Sequence, residues 1–298
     1  MDATRPFSRY FVQADTDITP YGSCDGSHPP CRFRLCAKAR GHRTNGPSPC
    51  LSDCFRIAVC PRGVFGALAL VHDTYVRRGL MRPNRWRMRV TAYHGLPTSE
   101  ILVAIRGGEL ISTLTIVQDS HRGLPMESVF TGEVQRQRKA SAALAEVSCL
   151  ASRPGTSDAS PAAMFRLMSL TAQVAVFRGI DQLLIAVHPK HVGFYVRFLG
   201  FQEIGRESSY DAVRGNPAVP LVLDFTDLAE RCPKAYRRLF SQPFPRWALE
   251  QQRPSRRVLS ALRLLAWMDN HLGTPRKAAA ETDQASAFED MRPALMVA

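Results

Sequence analysis

Apolar and polar positions fall into a readable order between Phe55 and Phe225. Phe55–Val59 reads as a short strand, and Pro61 opens an apolar helix through Gly63–Arg78, a place where proline is tolerated. Glu100–Ile105 and Leu110–Val117 are β-rich runs separated by Arg106-Gly107-Gly108-Glu109. A Gly-Gly pair between two such runs predicts a tight hairpin, because its turn needs positive φ. Ala143–Leu150 is a further strand. Strict alternation sends Leu144, Glu146, Ser148 and Leu150 to one face, and Ala145, Val147 and Cys149 to the other.

Ser160-Pro161 has the form of an N-cap followed by a first-turn proline. Met164, Leu167, Met168, Thr171, Ala172 and Ala175 then recur at helical spacing. Leu183–Val187 is a continuous apolar run, as in a strand buried on both faces. A second helix covers Val192–Leu199 and is stopped by Gly200, a residue suited to a left-handed cap. Phe201–Ile204 and Val219–Phe225 close as strands.

This alternation predicts an α/β fold, a mixed sheet with helices on both faces, forming a single core domain over 55–225. Residues 1–54 and 274–298 lack either period and read as a disordered leader and tail. Residues 226–273 read as a helical extension. Within it Ser255–Met268 is a basic amphipathic helix, expected to pack on its own domain although such a helix also suits a membrane surface.

Composition changes little in this picture, at 45% apolar and 22% charged. The net charge of +13 and pI near 9.8 admit an anionic partner. The charge is spread along the chain, however, and lacks the aromatic-interleaved stripe of a nucleic-acid binder. The start of the chain has no secretory pattern and no apolar run is long enough to span a bilayer, which predicts a cytoplasmic protein. Six of eight cysteines fall between Cys24 and Cys60 without a C-x-x-C pair. Zinc held by these thiols with His28 or His42 is disfavoured against scattered thiols, so no metal is expected.

Residues His188–Gly205 (HPKHVGFYVRFLGFQEIG) resemble the closing strand, helix and strand of GNAT-type acyltransferases. With His72–Met81 (HDTYVRRGLM), Thr91–Pro97 (TAYHGLP), Gln118–Met126 (QDSHRGLPM) and Leu144–Ala151 (LAEVSCLA), the order is similar to the N-acyl amino acid synthase branch, the FeeM type, related to acyl-homoserine-lactone synthases. The resemblance implies a GNAT-like fold and transfer of a long-chain acyl group from acyl carrier protein to an amino acid amine. The co-substrate is then acyl-phosphopantetheine, with acyl-coenzyme A as the alternative and no permanently bound cofactor. The pyrophosphate-binding loop of ordinary acetyltransferases is replaced by Ala151–Ser160, which offers only Gly155 and adds Asp158. An acyl-homoserine-lactone synthase is disfavoured because Arg82–Tyr93 is basic where that enzyme has an acidic D-x-x-D segment. A non-catalytic binder of acylated carrier protein stays open.

Glu146 is a lone acid in an apolar strand. Burying a carboxylate without use or partner is costly, which makes Glu146 the candidate base for the amine. The resemblance adds that a glutamate in this strand faces the reaction chamber, and that Tyr195 is the candidate acid for the departing thiolate. Backbone amides near Cys149 and Leu150 would receive the thioester oxygen if the strand splays there. Ser148, Leu150, His188 and Phe194 are the expected substrate-binding positions, with His188 and His191 at the pocket mouth or capping the helix. Cys149 is rejected as nucleophile because alternation turns it from the Glu146 face. Arg136, Arg138 and Lys139 form the expected docking surface for an acidic carrier protein.

Overall fold

The computed structural model describes residues 53–140, 143–153 and 161–272. The leader with Cys24, Cys31, Cys36, Cys50, His28 and His42, the Gly155 and Asp158 loop, the Ser160 cap and the 274–298 tail lie outside the described residues.

Strand β1 (Cys54–Ile57) leads to helix α1 (Pro61–Arg77). The Cys60 sulfur caps α1 by accepting the Gly63 N–H at 3.4 Å. Strands β2 (Ser99–Arg106) and β3 (Glu109–Gln118) form the expected hairpin. Gly107 and Gly108 take φ of 56° and 85°, the positive pair that a two-residue turn of this hand requires. Helix α2 (Glu127–Ala140) follows, kinked at Phe130, then β4 (Leu144–Ser152), α3 (Pro161–Phe177) and β5 (Gln182–Val187). The pattern of apolar positions does not reveal α2, because only Phe130 and Val134 of its fourteen residues are buried.

Helix α4 (Pro189–Phe194) runs into a π turn, Tyr195–Leu199, and Gly200 ends it with φ 78°. A Cβ on Gly200 would also come within 2.8 Å of Leu228. Short strands β6 (Gln202–Glu203) and β7 (Ser208–Tyr210) precede the long β8 (Asn216–Asp224). Four helices complete the described chain: α5 (Leu228–Arg231), α6 (Pro233–Phe240), α7 (Arg246–Leu249) and α8 (Arg256–Leu272).

The sheet runs β1-β2-β3-β4-β5-β8-β6, antiparallel throughout except for the parallel β4–β5 pair, and β7 pairs with β8. Register settles which face each helix covers. Val103, Thr113 and Ala151 stand together, and Ala151 packs on Val71 and Tyr75 of α1. Their neighbour Ala104 packs on Ala163 of α3 across the other face. The fold is therefore a mixed α/β sheet with helices on both sides. Burying side chains such as Leu102, Leu114, Leu167 and Leu184, each fully enclosed, contributes roughly 2 kcal/mol apiece.

Helix α8 buries Val258, Leu262 and Ala266, while Leu264 and Trp267 face outward, each more than half exposed. Among the described residues no helix is long and apolar enough to cross a membrane.

Candidate active site

Two irregularities in β4 create the site. Thr113 pairs with Ala151 and Thr115 with Ser148, so Leu114 alone faces both Cys149 and Leu150. Cys149 is the inserted residue, with φ 55°. An extra residue reverses the alternation beyond it. Glu146 and Ser148 share a face with Thr115 and Val117, and after the bulge Cys149 and Ala151 share that same face. The expected alternation is corrected in two places: Cys149 joins the Glu146 face, and Leu150 leaves it. The ground for rejecting Cys149 thus falls, since it assumed an unbroken strand.

The second irregularity is a splay. Parallel pairing of β4 with β5 ends at Glu146–Leu184. Past that point Ile185, Ala186 and Val187 pair only with β8. A cavity of about 320 Å³ occupies the opening, lined by Val147–Leu150, Ile185–Val187, Tyr75, Arg89, Tyr93, His188, Tyr195 and Tyr210 among others. Cys149 and Leu150 oppose the single residue Leu114 on β3, and pairing with β5 stops before them, so the bulge borders this opening.

Glu146 is 2% exposed and accepts the Met126 N–H at 2.8 Å. Burial pushes its carboxyl up to about 8; the Met126 amide opposes this, and Cys149 and Glu127 add to it. Glu127 itself is held ionised, below the usual carboxylate range, chiefly by its hydrogen bond from Arg138. One acid is thus tuned near neutrality while its neighbour is fixed as an anion.

Tyr195, 3% exposed, lines the cavity from the π turn, and burial raises its phenol well above the usual range. Its ring packs edge-on against Phe201. His188 caps α4 by accepting the Lys190 N–H and also lines the cavity. Ser148 and Leu150 line it as well. Phe194 does not: it packs with Phe165 and Phe198 in an aromatic group bordered by Arg238. One residue's step around the helix turns Phe194 out of the cavity, though its ring still meets that of Tyr195 edge-on at 5.4 Å. His191 lies half-buried, its imidazole lowered to about 4 by burial and by neighbouring cations.

Of the basic positions on α2, Arg138 is engaged by Asp119 at 2.6 Å and Glu127 at 2.7 Å. Arg136 reaches Glu133 at 3.3 Å and remains largely exposed, as does Lys139. Among the described residues no group of three or more His, Cys, Asp or Glu gathers for a metal ion.

Sequence patterns did not point to Tyr75, Arg89, Tyr93 or Tyr210, which complete the cavity wall. Arg89 alternates with Arg85 and Arg87 in a uniformly basic segment, so nothing local distinguishes it. Its position is fixed by tertiary structure: its N–H bonds to the Leu68 carbonyl of α1 at 3.0 Å.

A mixed sheet with a bulged fourth strand splayed from the fifth, enclosing a pocket with a buried carboxylate, defines a GNAT-like acyltransferase. Residues 66–224 match the family N-acyl amino acid synthase FeeM, and the chain belongs to that family; it is an N-acyltransferase. The solved structure of FeeM, an N-acyl amino acid synthase from uncultured soil microbes, is similar at 28% identity and TM-score 0.55, over 62% of this chain and 97% of that one. The acyl-homoserine-lactone synthase LasI shares the fold at 16% identity and TM-score 0.50, over 67% of this chain and 98% of that one. No curated protein sequence is similar to the chain.

Proposed function

We propose that the enzyme transfers a long-chain acyl group from the phosphopantetheine thioester of an acyl carrier protein to the amine of an amino acid, giving an N-acyl amino acid. The observation that carries this reading is Glu146, a buried carboxylate tuned to about 8 where β4 and β5 part. A base with that affinity for a proton takes one from an ammonium group near neutral pH without holding it too tightly to pass on. The amine then attacks the thioester carbonyl. Backbone amides of the Cys149–Leu150 bulge receive the developing oxyanion, and Tyr195, kept protonated by burial, gives its proton to the departing thiolate.

Ser148, Leu150 and His188 border the path of the acyl chain, along with the apolar wall of Val147, Ile185 and Val187. Because a thioester is already reactive, positioning in this wall supplies much of the rate. Arg136 and Lys139 are the proposed contacts for the acidic carrier protein, since Arg138 is committed to Asp119 and Glu127. An oxygen-acceptor or lactone-forming reaction has no observation in its favour here.

The test is to supply purified enzyme with long-chain acyl carrier protein and a mixture of amino acids, and to search for N-acyl products by mass spectrometry. Products that vanish in Glu146→Gln support the reading. Turnover with acyl-coenzyme A alone would overturn the carrier-protein donor, and absence of any amino acid product would overturn the acceptor.

A further inference from the structure

Arg89 is a charged group placed at the cavity without an anion. One Nη donates to the Ala212 carbonyl at 2.9 Å, and its carbon lies 4.8 Å from the centre of the Tyr75 ring. Its Nε is fully buried with no hydrogen-bond partner among the described residues. No carboxylate among the described residues pairs with it; the Cys149 thiol, within hydrogen-bond reach, is its polar neighbour on β4. The backbone holding it is well tied. The Arg89 N–H bonds to Leu68, Asn84 and Met88 bond reciprocally, and the Arg263 side chain donates to the Gly95 carbonyl at 3.0 Å.

A fixed, partly desolvated guanidinium that lines the cavity and has no carboxylate partner among the described residues suits a ligand carboxylate. Glu146 lies in the same cavity on the same sheet face, three positions before the cysteine that Arg89 reaches. Three residues of extended strand span roughly 10 Å, and no ion pair joins Arg89 to Glu146. The guanidinium and the carboxyl are held apart, as separate contacts for the two ends of an amino acid.

We propose that Arg89 anchors the carboxylate of the acceptor, so that the free α-carboxylate is a recognition element and the ammonium is delivered to Glu146. This rests on the amino acid acceptor reading given above. It implies that amino acids are preferred over their amides and decarboxylated amines, whatever their side chains.

The experiment compares an amino acid, its primary amide and the corresponding decarboxylated amine as acceptors at saturating acyl carrier protein, in the unaltered enzyme and in Arg89→Gln and Arg89→Lys. The unaltered enzyme is expected to favour the free acid by ~100-fold in kcat/KM, the order of one charge-assisted hydrogen-bond contact. Arg89→Gln should erase that preference through the acceptor KM, with its circular-dichroism spectrum and thermal unfolding reporting a folded enzyme. Arg89→Lys, with the charge but not the fork, should fall between. A preference intact in Arg89→Gln overturns this inference alone, as does a rise confined to the KM of the acyl donor, which would mark Arg89 as a phosphate contact. An unaltered enzyme that acylates amines and amides as readily as free acids overturns the acceptor reading with it. Should Arg89→Gln not fold, product affinity decides. The unaltered enzyme is expected to bind an N-acyl amino acid at least ~10-fold tighter than its carboxamide, and equal affinity overturns the inference.

Discussion

Glu146 and Cys149 share one face of the sheet although they stand three positions apart, a spacing that places them on opposite faces of any regular strand. The bulge at Cys149 joins the buried Glu146 carboxyl, the left-handed backbone and the neighbour of Arg89 in one short segment. Disturbing that segment has separable consequences for chemistry, geometry and stability.

The first concerns pH. With its carboxyl at about 8, Glu146 gains base form as pH rises, so kcat/KM should climb to a plateau above that value. Glu146→Gln is expected to flatten the profile and lower the plateau ~100-fold or more. Stability runs in the opposite direction. The folded value exceeds the ordinary 4.5, so the contribution is fully present below 4.5 and is lost as pH rises through about 8. Denaturant titrations at pH 5 and pH 9 should show a drop for the native sequence that the glutamine variant lacks.

Cys149 offers a chemical probe. In direct transfer the thiol carries no acyl group, so Cys149→Ala should keep activity within about tenfold, each tenfold corresponding to about 1.4 kcal/mol of barrier. Alkylating the native thiol with iodoacetamide should nonetheless inactivate by filling the cavity, and bound acyl donor should protect. Loss in the alanine variant as deep as in Glu146→Gln would place an acyl-cysteine on the path instead.

Away from the cavity, Arg178 and Glu100 form a buried two-pronged ion pair at 2.8 and 3.1 Å, joining the residue after α3 to β2. Removing one partner strands the other charge. Glu100→Gln or Arg178→Met is expected to cost about 3–5 kcal/mol in urea unfolding, while the pH profile of any folded fraction stays as in the native enzyme.

Gly95 is also exacting. A Cβ there would lie 2.6 Å from Cγ of Arg263, so Gly95→Ala must displace α8 or the Arg89 loop. A loss of about 1–3 kcal/mol in thermal unfolding is expected, with a raised acceptor KM. Arg263→Ala in the same chain should recover part of the stability, which a double-mutant cycle would measure.

The legible parts of the fold were those governed by local rules. The Gly107-Gly108 hairpin, the Gly200 cap and the lone acid at Glu146 each declare themselves through a residue type whose physics admits few alternatives. The unreadable parts were set by partners distant in sequence. A bulge at Cys149 is dictated by pairing with β3, not by the residues LAEVSCLA themselves, and it carries Leu150 off the expected face. Phe194 and Tyr195 look equivalent until packing separates a surface aromatic group from a cavity wall. Arg89 is one arginine among several until the Leu68 carbonyl fixes it.

Helix α8 begins beyond residue 224, where the match to the family ends, yet its Arg263 grips the loop that carries Arg89. Under the role proposed for Arg89, acceptor choice is tied to a helix outside the matched residues 66–224. Substitutions along this helix are then expected to move the Arg89 loop while leaving the β4 bulge untouched.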